Sequence, residues 1–234
     1  MEIGGWRLEI RDWPAFNRDF YDTFAAEFSR SRGAINPGIR RALQELELSA
    51  VLDVGCGDGR LRRALPAGSR YLGLDFSARL MARRSGEAGE TAAFALADFT
   101  SALPVASSAF PSVACFAALH HLPERLPVMH ELARVLAPGG RLAVSVWQIS
   151  HNARMRRKIV EDLGNGDYVL DWKSGGRGLR FVHEVSEAEL RALAAAAGLA
   201  VLALYRADGR SGDLGLYGIL AAGLPPSPAG EAAS

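Results

Sequence analysis

The chain of 234 residues has little cysteine: only Cys56 and Cys115 are present, both in apolar surroundings. That excludes a disulfide framework and leads us to expect reduced thiols in a cytoplasmic protein. It also lacks an unbroken apolar run near the roughly 18 residues that a bilayer-crossing helix needs. Its first residues, Met1-Glu2-Ile3-Gly4-Gly5-Trp6-Arg7, carry charge where a secretion signal would be apolar. A soluble, unexported protein with no membrane partner is expected. Charge of one sign is not in excess either, because 27 Lys and Arg stand against 26 Asp and Glu, for a net charge of +1. No chain-wide footprint for nucleic acid follows, and a local one is left open. Histidines, cysteines and acids do not cluster at metal-ligand spacing, so no metal is expected.

Glycine and apolar residues are plentiful. With 49% hydrophobic residues the chain can fill one core, and one domain is the default. The most informative run is Val51-Leu52-Asp53-Val54-Gly55-Cys56-Gly57-Asp58-Gly59. It reads as a buried strand that ends near an acid and turns through three glycines into a helix. Gly55, Gly57 and Gly59 provide backbone freedom and remove the Cβ atoms that would hold a ligand off the main chain. A dinucleotide site would space its glycines G-x-G-x-x-G and aim a helix at a pyrophosphate. Here the glycines fall at every second position, and the carboxylate of Asp53 would repel a pyrophosphate while complementing a cation. S-adenosylmethionine, with its sulfonium and ammonium groups, fits; a purely structural turn is the alternative.

Two further strand ends carry acids. Arg70-Tyr71-Leu72-Gly73-Leu74-Asp75-Phe76-Ser77 places Asp75 where doubly wound folds keep a carboxylate for ribose hydroxyls, about 20 residues after the glycine turn. Helix capping is the plainer reading of that acid. Phe94-Ala95-Leu96-Ala97-Asp98-Phe99 pairs a carboxylate, able to accept from an exocyclic amine, with an aromatic that can cover an adenine. Strands alternate with helices from 50 to 147, the pattern of a parallel sheet covered on both faces, whose ligand belongs at the carboxyl ends of the strands. Asp53, Asp75, Asp98 and Ala117 all lie at such ends.

Together these runs, with Ser112-Val113-Ala114-Cys115-Phe116-Ala117-Ala118-Leu119-His120-His121-Leu122 and the Pro138-Gly139-Gly140 turn before a fifth strand, resemble the class I S-adenosylmethionine-dependent methyltransferases over roughly residues 20 to 147. The resemblance implies an α/β, Rossmann-like, doubly wound and mostly parallel seven-stranded sheet with helices on both faces. It implies that Asp53, Gly55, Cys56 and Gly57 border the methionine portion of the cofactor, Asp75 and Phe76 the ribose and adenine, Asp98 and Phe99 the adenine edge, and Ala117 the floor. Tyr21 and Arg32, on and after a leading helix that covers the cofactor in related enzymes, are implied contacts of its carboxylate, a solvated arginine being the alternative. The flanks, including Phe20-Tyr21-Asp22, His120-His121, Trp147-Gln148, Trp172-Lys173 and Arg180-Phe181-Val182-His183, are similar to the tRNA wobble-uridine carboxymethyl methyltransferases. That similarity implies tRNA as a partner and a uridine carboxylate as methyl acceptor. The eukaryotic relatives also depend on an activator subunit, for which no surface is visible in these residues.

The expected organisation has N-terminal helices over 1–48, with Phe16, Phe20, Phe24 and Phe28 along one face of a helix spanning 14 to 30, and the cofactor-binding core over 49–147. A substrate-side insertion or lid follows over 148–184. The closing helix and two strands lie over 185–222, and a disordered tail over 223–234. The insertion carries Arg154, Arg156, Arg157 and Lys158 and then Tyr168 and Trp172; it suits either an element that grips phosphate and stacks on a base or a solvated basic helix followed by a mobile loop. An acceptor carboxylate would need only a cation, for which Lys173, Arg177 and Arg180 are candidates. A hydroxyl or nitrogen acceptor would call on His120, His121 or His183 as base, and in an extended loop only one of the adjacent pair His120 and His121 would face the pocket. A small-molecule O- or N-methyltransferase and a non-catalytic cofactor-binding scaffold or activator subunit are the rival readings.

Overall fold

The computed structural model describes residues 2–3, 6–7, 10, 12–83 and 91–223; the tail expected beyond Gly223 lies outside them. After a short antiparallel pair, β1 (Glu2–Ile3) and β2 (Trp6–Arg7), come helices α1 (Trp13–Thr23), α2 (Ala25–Ser31) and α3 (Pro37–Leu43). Asp12 caps α1 by accepting from the Ala15 N–H at 2.9 Å. The single helix expected over 14 to 30 breaks at Phe24, whose ψ of 20° leaves the helical region. The break sets the Phe24 ring against Gly178, where a Cβ would stand 2.3 Å from it.

The core alternates β3 (Ala50–Val54), β4 (Arg70–Asp75), α4 (Ala78–Met81), β5 (Ala92–Leu96), β6 (Phe110–Phe116), α5 (Leu126–Val135) and β7 (Leu136–Trp147). α7 (Glu187–Ala196), β11 (Leu199–Ala207) and β12 (Gly215–Ala222) complete it. The seven strands run in the order β11-β12-β7-β6-β3-β4-β5, parallel from β7 to β5, with β12 antiparallel to β7 and β11 antiparallel to β12. Period-two alternation divides the apolar residues between two faces. Leu52, Val113 and Val144 pack toward Met129 and Leu132 of α5 and Leu190 of α7, while Val51, Ala114 and Ala143 pack toward Ile39 and Ala42 of α3. The chain order reverses between β3 and β6, the place where such sheets open a crevice.

Two local expectations change. Pro138-Gly139-Gly140 is not a free turn but part of a bulge within β7, where the pairing with β6 jumps from Phe110↔Leu136 to Ser112↔Arg141. Residues 148–184 are not a basic helix and loop. After the single turn of α6 (Ala153–Arg156) they form an antiparallel sheet of β8 (Ile159–Gly164), β9 (Asp167–Trp172) and β10 (Gly178–His183). Asn165 and Gly166, both at positive φ, make the tight hairpin that joins β8 to β9. β10 lies against α1, because Asn17, buried on α1, donates to the Phe181 carbonyl at 3.0 Å and accepts from the Phe181 N–H at 2.9 Å. Among the described residues no helix is long and apolar enough to cross a membrane.

Candidate functional site

The glycine turn after β3 does what its spacing implies. Gly55, Gly57 and Gly59 have φ of +75°, +60° and +70°, a region that costs other residues about 1–2 kcal/mol. A Cβ at Gly55 would stand 2.4 Å from the Ala118 Cβ, whereas one at Gly57 would meet nothing within 4 Å. Gly57 therefore faces open space beside bare backbone. The turn runs into a helix, as expected, and that helix is a 3-10 helix, Arg60–Ala64.

Asp75, at the tip of β4, is 3% exposed. It accepts from the Gly57 N–H at 2.7 Å and from the Ser77 N–H at 2.8 Å. Burial pushes its carboxyl up to about 6, against the pull of those hydrogen bonds. Its two oxygens retain lone pairs for a ligand's hydroxyls. Phe76 and Phe99 form apolar walls, Tyr21, Arg32 and His121 add polar groups, and Ala117 lies at the inner end of the same slot. Ala117 holds φ at +55°, an unfavourable backbone for a residue with a Cβ, pinned by its N–H donating to the Ser145 carbonyl at 2.9 Å. A carboxylate for hydroxyls, aromatic walls for a base and a guanidinium for a carboxylate fit the adenosyl and methionine parts of S-adenosylmethionine.

Three residues implied as cofactor contacts do not line the slot. Asp53 is 4% exposed beside the turn, its carboxylate accepting from the Tyr71 hydroxyl at 2.7 Å, and burial pushes it up to about 7. The Cys56 thiol is a buried, free group raised by burial, 3.6 Å from the Met81 sulfur. Asp98 is exposed and accepts from the Thr100 N–H and hydroxyl at 2.9 and 2.7 Å.

His120 and His121 sit in a 3-10 turn, Leu119–His121, with ring centroids 4.3 Å apart; the opposite-facing pair expected of an extended loop is replaced by two adjacent buried rings. The Phe181 carbonyl can only accept, so the His121 Nδ1 at 3.0 Å carries the proton, and Nε2 accepts from the Tyr21 hydroxyl at 2.6 Å. The His120 ring packs on Trp147, and its Nδ1 accepts from the Trp147 N–H at 3.3 Å. Burial, then the neighbouring cations, lowers His121 to about 3; burial and the charge of His121 lower His120 well below its usual range. Both rings are neutral at pH 7, and each resists taking up a proton.

Beyond Ala117 and Arg32 the slot opens into a cavity of about 850 Å³. Its wall carries Arg32, Arg60, Arg154, Arg157, Lys158, Arg180 and Arg210 against one acid, Asp208. Arg180 is the deepest of these, 2% exposed, its guanidinium 4.5 Å from the Trp147 ring centroid, 5.3 Å from Phe20 and 5.4 Å from Trp172. Its Nε and Nη1 have no hydrogen-bond partner. Lys173, by contrast, is exposed and pairs with Asp171 at 3.2 Å, and Arg177 is exposed. His183 is bound by Asp167 at 2.7 Å and Glu189 at 2.9 Å; burial opposes its charge, but the two carboxylates win and raise it. None of these three lines the cavity. Of the cations proposed for an acceptor carboxylate, the fold brings only Arg180 to the cavity. Arg60 and Arg210 escape a reading by motif; their one sequence signal is that each follows a turn glycine, Gly59 or Gly209.

Comparison with known proteins bears on the fold and the family. The methyltransferase domain family model matches residues 52–144. An Encephalitozoon cuniculi protein named as a candidate methyltransferase is 32% identical over 177 residues, 72% of this chain and 79% of that protein. The tRNA (carboxymethyluridine(34)-5-O)-methyltransferase of Arabidopsis thaliana is 33% identical over 131 residues, 54% of this chain and 31% of its own length, so the chain spans less than a third of that relative. The ubiquinone biosynthesis O-methyltransferase of Xylella fastidiosa is 35% identical over 144 residues, 58% of each chain. Among solved structures, a Haloferax volcanii candidate methyltransferase in complex with a methyltransferase activator superposes with a TM-score of 0.67 at 21% identity, over 89% of this chain and 98% of that one.

Proposed function

The chain belongs to the S-adenosylmethionine-dependent methyltransferases, and from that premise we propose that its methyl acceptor is a carboxylate, carried by a modified wobble uridine of tRNA and held by Arg180. The single observation behind this reading is a buried guanidinium with two unpartnered nitrogens on the cavity wall. An unpaired buried charge is costly unless a ligand supplies its counter-charge. A carboxylate matches a guanidinium's fork of donors.

The cofactor, when bound, supplies an electrophilic methyl group. Asp75 would hold its ribose hydroxyls, Phe76 and Phe99 would enclose its base, and Tyr21 and Arg32 would hold its methionine end. Arg180 orients the acceptor and, with the rings of Trp147 and Trp172 that line the same cavity, keeps water from it. An ionised carboxylate needs no base, which accords with neutral His120 and His121. Alignment is then the main contribution of the protein. The resemblance to the wobble-uridine enzymes selects uridine among carboxylates, and a tRNA acceptor goes with the expected cytoplasmic location. A protein activator is proposed on the same ground as the Haloferax chain's complex.

The test is methyl transfer from isotopically labelled donor to tRNA whose wobble uridine carries the free carboxymethyl group without its methyl ester, to free carboxymethyluridine and to a metabolite extract, with and without Arg180→Ala. Label in the first two, lost in the variant, supports the reading. Label only in metabolites supports a small-molecule O-methyltransferase, which the net charge of +1 and the match to the Xylella enzyme favour.

A further inference from the structure

A second hollow, of about 610 Å³, lies beside the acceptor cavity and shares Arg32, Gly33, Ala34 and Arg60 with it. Its other charged wall residues are Arg40 of α3 and Arg63 of the 3-10 helix, so four arginines and no carboxylate line it. The neighbours of those two are already engaged: Arg41 lies over the Tyr205 ring at 3.9 Å, and Arg62 donates to the Thr91 hydroxyl at 3.3 Å. Arg40 and Arg63 are exposed, and neither makes an ion pair among the described residues. At the junction, Arg32 stacks on the Phe28 ring at 4.0 Å. Burial and the nearby charge of Arg60 push Arg32 down to about 10, with Tyr21 and Asp58 pulling the other way, and no carboxylate lines the hollow itself.

We infer that this hollow is a phosphate-binding extension of the acceptor site, in which Arg40 and Arg63 hold the phosphodiester backbone of the strand flanking the methylated nucleotide, with Arg32 and Arg60 at the junction. The inference rests on the nucleic-acid reading of the acceptor and deepens it. A nucleotide seated in the cavity must leave it through backbone on both sides, and a continuous row of arginines is the electrostatic path that such a backbone follows. The site is local, which reconciles it with a chain-wide charge near zero. Phosphate fits better than an acidic peptide, because arginine forks bind phosphate oxygens two at a time and the hollow offers no aromatic pocket for a side chain to anchor in.

The test is fluorescence anisotropy of a labelled, single-stranded oligouridylate of about ten nucleotides titrated with the full chain at several salt concentrations. Loss of two phosphate contacts in Arg40→Glu/Arg63→Glu should weaken binding about tenfold or more and reduce the slope of log K against log salt by roughly 1.4. Arg40→Gln/Arg63→Gln, with a smaller loss and the same change in slope, serves if the double reversal does not fold. Arg191→Glu on the exposed face of α7 should leave binding as it is. Equal affinity in wild type and double variant would overturn the inference. So would an equal loss in Arg191→Glu, or displacement of the oligonucleotide by oligoglutamate at matched charge. Oligouridylate held through Arg40 and Arg63 without methyl transfer to any RNA would leave the hollow standing and remove the acceptor assignment instead.

Discussion

The cofactor slot and the acceptor cavity meet at Ala117 and Arg32, yet they are built on opposite plans. In the slot, the polar groups already have partners inside the protein: Asp75 takes the N–H groups of Gly57 and Ser77, and His121 is fixed between Tyr21 and Phe181. In the cavity, Arg180 keeps two nitrogens free and the wall is crowded with cations. A slot whose geometry is set by its own backbone binds a ligand that is always the same. A cavity with unsatisfied donors gains most from the one ligand that satisfies them, at a cost to the stability of the fold.

The sharpest way to break that contrast is Arg180→Met. Charge-assisted hydrogen bonds are worth about 1.5–3 kcal/mol each, so steady-state kinetics should show kcat/KM for the acceptor down by two orders of magnitude or more. Thermal melting should show the fold unchanged or stabilised, since an apolar side chain replaces a buried, unpaired charge. A lower melting temperature would mean that Arg180 is structural.

Next in size is Asp75→Ala, which removes acceptors for the ribose hydroxyls. Calorimetry should show cofactor affinity weakened by roughly 1–3 kcal/mol, and an unchanged affinity would show the ribose to be elsewhere. The two turn glycines then separate fold from binding. Gly55→Ala meets Ala118 at 2.4 Å in addition to its φ strain, so its melting temperature should fall further than that of Gly57→Ala, which bears only the strain of about 1–2 kcal/mol. Gly57→Ala should lose cofactor affinity out of proportion to its stability, because its methyl group enters the space the ligand needs.

The smallest effect is a pH dependence. Asp53 stands at about 7 in the fold against about 4 when unfolded. The native state therefore holds a proton that the unfolded state releases, and stability falls as pH rises from 4 to 7. Affinity for the cationic cofactor should move the other way, rising by less than about tenfold between pH 6 and 8 as Asp53 ionises, and the rise should shrink in Asp53→Asn to the part due to Asp75, which stands at about 6.

Much of the sheet was legible from local pattern. Apolar runs closing on Asp53, Asp75 and Asp98 marked strand ends, and Ser186 caps α7 by accepting from the Glu189 N–H at 3.1 Å, as a serine three residues before a glutamate does at a helix start. The Glu189 carboxylate does not return to the Ser186 N–H but serves His183 and Arg125. The strands of the insertion were not legible, because Tyr168-Val169-Leu170-Asp171-Trp172 becomes a strand only when β8 and β10 flank it, and periodicity over so few residues does not report a partner. That at most one of His120 and His121 faces the site holds, since only His121 lines the slot, but the 3-10 turn that carries them was not distinguishable from extended chain over three residues.

The chain alone determined where backbone had to be bare and where carboxylates had to stand at strand tips, because positive φ and period-two alternation are properties of sequence neighbours. Which cation would stay unpaired was decided only in three dimensions. Lys173, Arg177 and Arg180 are equivalent on paper; the pairing of β9 with β10 and the packing of α1 send the first two to solvent and enclose the third among Phe20, Trp147 and Trp172. The free energy of a charge depends on what surrounds it in space, and those surroundings come from segments far apart in the chain.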